Sequence, residues 1–190
     1  MKIEQVPCGE CGIMIPEVTA QRTRGLCIPC KMRLTKSDPF QDFYKALADR
    51  IERYPNGFIS LTEPEKLFFA LTFFRDEVHA GGFQQYFAGG GGFYYEYAEK
   101  AVEAIGARRL LEVLREVKEF LFSDTPVPAD TEQRRRILRS PKPGVTAAQW
   151  SQKMGEFHKR FEASSEYLSE RLKVYARQHR LVSEHDLVDG

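Results

Sequence analysis

The chain of 190 residues lacks three things: an excess of charge of either sign, a long apolar run, and any cysteine after residue 30. A net charge of +1 excludes a strong overall attraction to DNA or to an anionic membrane. The N-terminal segment MKIEQVPCGECG has no apolar core of a signal peptide, and no run approaches the length of a membrane span. We therefore expect a cytoplasmic protein whose thiols stay reduced. The balance of 42% hydrophobic and 29% charged residues is typical of a folded globular protein with one main domain and a small appendage.

The four cysteines that the chain does have are Cys8, Cys11, Cys27 and Cys30, in the pattern C-x2-C-x15-C-x2-C. This spacing is typical of a structural zinc site, because each C-x2-C turn directs two sulfurs toward one tetrahedral ion. The segment around them has too few large apolar side chains to form a core without a metal. Two disulfides, a redox dithiol and an iron site of the same geometry are the alternatives. A reducing cytosol disfavours disulfides, and the second matched pair favours chelation, so we predict a four-Cys module over residues 1–37 with structural Zn²⁺.

The run CGECGIMIPEVTAQRTRGLCIPCKMRL, residues 8–34, resembles the zinc finger of DksA/TraR-type bacterial transcription regulators. Both have C-x2-C-G, an Ile-Pro pair after it, and C-x2-C followed by a basic tail. The resemblance implies a small zinc-ribbon or treble-clef-like module in which a hairpin is followed by a helix that begins near Cys27. The chain lacks the long coiled coil of those regulators, so their activity is not implied.

The rest of the chain has apolar side chains at helical spacing, and no segment alternates at period two. Asp38-Pro39 is a helix start, and Thr62-Glu63-Pro64-Glu65 is a capping box with proline in the first turn. We predict an all-α, multi-helix domain over residues 38–182, followed by a frayed tail at 183–190. The helices are predicted to cover about residues 39–53, 62–80, 93–105, 110–121, 131–140 and 146–180.

Residues 79–92, HAGGFQQYFAGGGG, include six glycines. A P-loop needs Lys-Ser/Thr after its glycines, and a dinucleotide-binding turn needs G-x-G-x-x-G after a strand, and this stretch has neither. We expect Gly81-Gly82 to end a helix, residues 83–87 to form one or two helical turns, and residues 89–92 to form a loop. The glycines then permit a bend and close packing instead of holding a nucleotide.

Asp76, Glu77 and His79 precede these glycines and raise the alternative of a metal or acid/base site. On a helix, Asp76 and His79 share a face but Glu77 and His79 do not, and no HExxH motif joins them. A small-molecule enzyme that uses Glu77 and His79 is therefore the less favoured alternative, and we predict no catalytic residue. Residues 134–136, three arginines, are predicted to form a solvated face, with an acidic or phosphorylated partner as the alternative.

Three segments carry a second resemblance: EVHAGGFQQYF at residues 77–87, YAEKA at 97–101 and AIGA at 104–107. They resemble a bacterial family named for a DNA-mimic protein, over about residues 40–180, with Ala80 and Gly89 where the family pattern has asparagine. The resemblance implies an all-helical domain without assigned enzyme activity. At least one member is described as an acidic dimer that occupies the DNA-binding surface of a transcription factor, so a protein partner and a homodimer are both implied.

The charge balance bears on this implied mimicry. Residues 1–37 hold six of the 28 basic and three of the 27 acidic side chains, which leaves 22 basic and 24 acidic ones in residues 38–190. DNA attracts its partners through a dense array of negative charge, and a net charge of about −2 is weak by comparison.

We therefore predict a non-enzymatic, zinc-containing protein-binding or regulatory factor of a bacterial cytosol. The alternative is nucleic-acid binding through the zinc finger, with phosphate contacts from Arg22, Arg24, Lys31 and Arg33. The predicted partner or ligand surface consists of Glu77, Gly81, Gly82, Gln84 and Gln85, together with Arg22 and Arg24.

Overall fold

The computed structural model describes residues 4–34, 38–140 and 142–182, with the backbone alone for residues 32–34. Helices dominate these residues, and the strands among them form one two-stranded sheet, which confirms the predicted all-α body that follows a cysteine module in the sequence. No helix in this part of the chain is long and apolar enough to cross a membrane. In chain order the elements are β1 (Gln5–Pro7), β2 (Met14–Pro16), α1 (Glu17–Thr23), α2 (Ile28–Leu34), α3 (Pro39–Arg53), α4 (Glu63–Ala88), α5 (Gly91–Ala104), α6 (Arg108–Phe122), α7 (Thr131–Arg139), α8 (Ala147–Ser165) and α9 (Leu168–Gln178).

The described residues form two compact units, one within Met1–Asp42 and the other within Phe43–Ser183. The predicted boundary between residues 37 and 38 stays a prediction. The predicted frayed tail, residues 183–190, lies outside the described residues.

The first unit is built on the antiparallel pairing of β1 with β2, in which Val6 lies opposite Ile15. Ile15 is buried while its neighbour Met14 is exposed, because successive side chains of a strand point to opposite faces. α2 begins at Ile28, so the hairpin and the helix near Cys27 are confirmed, whereas α1 was not predicted. The core of this unit is small and rich in sulfur, and it consists of Cys8, Ile15, Ala20, Cys27 and Cys30.

The second unit is arranged around α4. Residues 67–71 of this helix are all buried, and five consecutive residues span more than a full turn, so α4 is covered on every side there. Its start is the predicted capping box: the Thr62 hydroxyl accepts from the Glu65 amide, and the Glu65 carboxylate accepts from the Thr62 amide at 2.8 Å. The most extensive packing partner of α4 is α5. α4 is therefore the central helix of this unit.

The predicted single helix over residues 146–180 is wrong, because the structure has two helices, α8 and α9, with a break at Glu166 and Tyr167. Thr146 does begin α8, in a second capping box with Gln149. At the other end, the Ser164 hydroxyl donates to the Arg160 carbonyl at 2.7 Å. Such hydroxyl bonds to the preceding turn compete with the helical ladder and favour a bend.

Candidate functional site

The four cysteine sulfurs form one cluster, in which every Sγ lies within 4.8 Å of the other three. A tetrahedral ion with metal–sulfur bonds of about 2.3 Å holds its sulfurs about 3.8 Å apart. The distance from Cys11 Sγ to Cys27 Sγ is 3.7 Å. Cys8, Cys27 and Cys30 are buried and Cys11 is exposed. The predicted ligand set is therefore assembled, and its spacing fits a single metal ion.

Two tight turns position these sulfurs. The first is closed by the Gly12 amide, which donates to the Cys8 carbonyl at 2.9 Å with Gly12 at φ +73°, where glycine has no Cβ to clash. The second turn is closed by the Lys31 amide, which donates to the Cys27 carbonyl at 2.8 Å. The Cys27 amide donates to Cys8 Sγ at 3.1 Å and ties the two turns together.

The surroundings of the sulfurs shift the pKa values of two of the thiols in opposite directions. Backbone amides, first that of Cys11 and then that of Cys27, lower the pKa of the Cys8 thiol to about 6, because N–H donors favour the thiolate. Hydrogen bonding with the Cys27 side chain raises the pKa of the Cys30 thiol to about 12. Four sulfurs this close can all be anionic only when a cation neutralises them. The cluster therefore suits a positively charged ligand.

Arg22 and Arg24 lie at the end of α1 and are exposed. Arg24 caps α1 in the left-handed conformation, and its amide donates to the Ala20 carbonyl. Lys31 Nζ contacts the Arg22 carbonyl at 3.4 Å. The side chain of Arg33 lies outside the described part of the structure.

The glycine stretch forms a kinked helix. Gly82 interrupts α4 with φ +75° and ψ 178°, and regular helix resumes through Ala88. The predicted bend is therefore at Gly82, although α4 does not end there. The predicted loop over residues 89–92 is too long, because α5 begins at Gly91 and both Gly91 and Gly92 are buried. A Cβ on Gly91 would overlap the Tyr86 ring, so the glycines do permit close packing.

The residues of the predicted surface at this bend differ in exposure. Gly81, Gln84 and Gln85 are exposed, and the Gln85 amide lies where a Cβ on Gly81 would be. Glu77 is half-buried and has no hydrogen bond or ion pair within the described residues. His79 is exposed, and its Nδ1 lies 3.2 Å from Glu162 Oε1 on α8, so its polar partner is not Glu77.

The predicted solvated face over residues 134–136 is wrong for Arg134. Arg135 and Arg136 are exposed, but Arg134 is fully buried, because it lies four residues before Leu138 on the face of α7 that packs inward. Burial lowers the pKa of its guanidinium from the usual value. The i, i+4 relation to Leu138 is the sequence signal that was missed. The guanidinium donates to the carbonyls of Phe87 at 2.8 Å, Gly89 at 2.6 Å, Pro128 at 2.8 Å and Ala129 at 2.7 Å, and to the Thr131 hydroxyl at 2.9 Å.

A cleft of about 1000 Å³ between α5, α6 and α8 was not predicted from the sequence. Its apolar surface includes the rings of Tyr95, Phe120 and Phe157. The charged lining comes from two helical rows of glutamates, with lysines and an arginine among them. The five glutamates are Glu96, Glu99 and Glu103 on α5 and Glu116 and Glu119 on α6, and the four cations are Lys100, Arg115, Lys118 and Lys153.

Ion pairs neutralise part of this lining. Arg115 Nε lies 2.5 Å from Glu99 Oε1, and Arg160 contacts both oxygens of Glu116 at 2.6 and 2.7 Å. The Arg160 contact is bidentate and lowers the pKa of the Glu116 carboxyl. The cleft therefore presents charges of both signs around an apolar base. The spacing of Glu96, Glu99 and Glu103 places them on one face of α5, and only the packing of α6 and α8 makes that face the wall of a cleft.

A protein-family model described as DMP19-like protein matches residues 59–179 of the chain. No curated protein and no solved structure matches the chain. The matched range includes the kink at Gly82, the buried Arg134 and the cleft between α5, α6 and α8.

Proposed function

Because the chain belongs to the DMP19-like protein family, we propose that it is a non-enzymatic protein-binding or regulatory factor with a structural zinc ion in its N-terminal module. The observation that carries the proposal is the family match over residues 59–179, the part of the chain that also holds the cleft between α5, α6 and α8. The resemblance to a family named for a DNA-mimic protein supports a protein partner and a bacterial cytosol as the setting. We propose the division into a zinc module, residues 1–37, and a helical domain, residues 38–182.

Zinc is the metal that suits the cysteine cluster best. Four thiolates fill all four positions of a tetrahedral ion, and such a closed set is typical of structural and not catalytic zinc. The core of the first unit consists mostly of these sulfurs, so the metal would supply much of its folding free energy. Purified protein is expected to contain one zinc per chain, and Cys8→Ser is expected to lose it. A preparation in which another metal or a disulfide occupies the cysteines would contradict this assignment.

We propose the cleft between α5, α6 and α8 as the main partner surface. Carboxylates and lysines around aromatic rings suit a protein segment that brings both apolar and charged side chains. Five carboxylates against four cations do not form the one-signed array that imitates phosphates. The bend with exposed Gly81, Gln84 and Gln85, together with the half-buried Glu77 and with Gly82, is the second surface that we propose for contact.

The test is affinity capture from the native cell with the full chain as bait, compared with three variants. Glu103→Lys reverses a charge that lines the cleft, and Glu112→Lys makes the same change on an exposed part of α6 outside it. The third variant lacks residues 1–36. We expect a stoichiometric protein partner that Glu103→Lys weakens and Glu112→Lys retains. If no protein is enriched, or if the purified chain turns over a substrate, the proposal fails.

The alternative of nucleic-acid binding through the zinc module has less support. Residues 4–31 hold three basic side chains, Arg22, Arg24 and Lys31, against three acidic ones, Glu4, Glu10 and Glu17. Metal-bound thiolates would add negative charge. If the module does bind DNA, retention on a DNA column should fall steeply with salt, and Arg22→Ala with Arg24→Ala should weaken it.

A further inference from the structure

A second, smaller pocket lies where the start of α6 meets the connection between α8 and α9. Its volume is about 370 Å³, and its lining includes three arginines, Arg108, Arg109 and Arg171, and one glutamate, Glu166. We call this the arginine pocket. It is separate from the cleft described above, and its size is at the lower end of the range for small-molecule sites.

The arginines of the arginine pocket are not neutralised. Arg171 Nη1 donates to the carbonyls of Ile105 at 3.2 Å and Gly106 at 2.9 Å, so neutral acceptors hold its guanidinium in place. Arg108 and Arg109 are exposed and have no ion pair or hydrogen bond through their side chains within the described residues. Three cations against one carboxylate leave an excess of positive charge, and arginine forks match the oxygens of a phosphate group.

The backbone and side chains around the arginine pocket add donors and an aromatic face. α6 begins after Ala107, whose side chain cannot cap it, and no acidic residue lies in its first turn, so the first amides of α6 have no internal acceptor. Tyr167 is 63% exposed and lines the same pocket, where its ring can stack on a planar group.

We propose that the arginine pocket binds a phosphate group, either as free phosphate or as the phosphate of a nucleotide. Arg108 and Arg109 bind its oxygens, and Arg171 is the pre-positioned third cation. In the nucleotide case the base stacks on Tyr167. The glycine stretch, which first suggests a phosphate cradle, is not involved.

The test is calorimetric titration of the full chain at low ionic strength with inorganic phosphate, a nucleoside monophosphate and the unphosphorylated nucleoside. We expect saturable binding of the first two and none of the nucleoside. Arg109→Gln is expected to weaken binding about tenfold or more, because it removes charge-assisted hydrogen bonds. The matched control is Arg139→Gln, which removes an exposed arginine on α7 outside the pocket.

Comparison of the ligands identifies the source of the phosphate. Tighter binding of the nucleotide, lost in Tyr167→Ala, indicates a nucleotide, whereas equal binding indicates free phosphate. The proposal is overturned if neither ligand binds, or if Arg109→Gln and Arg139→Gln reduce the affinity equally, since the effect would then come from net charge alone. Unfolding curves of both variants check that the loss is not caused by misfolding.

Discussion

The guanidinium of Arg134 donates hydrogen bonds to carbonyls at the C-terminal end of α4, the central helix. The carbonyls of the last turn of a helix have no partners within it, and they form the negative end of the helix dipole. Two of the acceptors of Arg134, the carbonyls of Phe87 and Gly89, belong to this end of α4. The other carbonyl acceptors, Pro128 and Ala129, belong to the segment before α7. The hydrogen bonds of one buried cation therefore hold α7 and the segment before it against the end of α4.

Arg134→Met is expected to lower the free energy of unfolding by about 2–4 kcal/mol, because it leaves the buried Phe87 carbonyl and three part-buried carbonyls without donors. Arg136→Met, two residues along on the exposed face, is expected to change it by less than about 0.5 kcal/mol. Urea unfolding at neutral pH measures both variants. Equal stability of the two would contradict the role assigned to Arg134.

The start of α5 packs closely against Tyr86 because Gly91 has no side chain. A Cβ on Gly91 would overlap both the ring and the backbone carbonyl of Tyr86, whereas a Cβ on Gly155, inside α8, would meet nothing within 4 Å. We expect Gly91→Ala to destabilise the protein by about 1–3 kcal/mol through overpacking. Gly155→Ala should stabilise it by about 0.5–1 kcal/mol through helix propensity. Thermal unfolding shows whether each substitution lowers or raises the stability of the protein. A Gly91→Ala variant with unchanged stability would show that α5 does not need this close contact.

At the scale of elements, the kink divides α4 into two helical parts at Gly82. The backbone at φ +75° and ψ 178° is in a region that is essentially restricted to glycine. The neighbouring Gly81 is helical and needs glycine less, because the group in the way is the end of the flexible Gln85 side chain.

Gly82→Ala is expected to cost about 1–3 kcal/mol of stability, because alanine is strained in this conformation. Gly81→Ala should be tolerated, since Gln85 can move into solvent. Chemical denaturation of the two variants gives the comparison. The assignment of the kink to Gly82 fails if the substitution at 81 is the more damaging one.

The capping box of α4 makes the stability of the folded protein depend on pH in the acid range. Burial raises the pKa of Glu65, but bonds from the Thr62 amide and Arg50 lower it more, so its net pKa is below the usual 4.5. Arg50 Nη1 lies 2.7 Å from Glu65 Oε1. Because the folded carboxyl binds a proton less tightly than the unfolded one, its contribution is complete above about pH 5 and is lost as pH falls through the lowered pKa.

Glu65→Gln is therefore expected to reduce the loss of stability between about pH 5 and pH 3 relative to the unsubstituted chain. The loss should not vanish, because Glu116, beside Arg160, also has a lowered pKa. Arg50→Gln should have a similar but smaller effect. Urea unfolding across this range measures the slope, and an unchanged slope in Glu65→Gln would mean that the carboxylate contributes nothing.

At the scale of the whole molecule, the chain combines two units with different sources of stability. The first has a core made largely of cysteine sulfurs, and the second has a large apolar core around α4. The second contains no cysteine. A metal can therefore be essential to one unit and irrelevant to the other.

Chelation of the metal is expected to unfold the N-terminal unit and leave the helical unit intact. Circular dichroism should keep most of its helical signal, the urea midpoint of that signal should stay unchanged, and four thiols per chain should become reactive. Cys8→Ser should reproduce this result without a chelator. Loss of the whole helical signal on chelation would show instead that the two units fold as one.

Much of this architecture is readable from local sequence. The cysteine spacing and the apolar periodicity involve residues a few positions apart, so the four-cysteine cluster, the capping boxes and most helices follow from the chain alone. The break between α8 and α9 was missed, because serines such as Ser164 are compatible with a helix until their hydroxyls bond to the preceding turn.

The surfaces that we propose for binding depend on which helices become neighbours. The sequence by itself determined the four-cysteine cluster, the all-helical body and the family resemblance, because these depend on short-range spacing and on residue identity. Tertiary structure alone decided that Arg134 is buried against the end of α4, that glutamates of α5 and α6 line one cleft, and that Arg108 and Arg109 share a pocket with Arg171. The reason is physical: these contacts join residues from 16 to 66 positions apart, and side-chain periodicity within one helix carries no information about the helix it packs against.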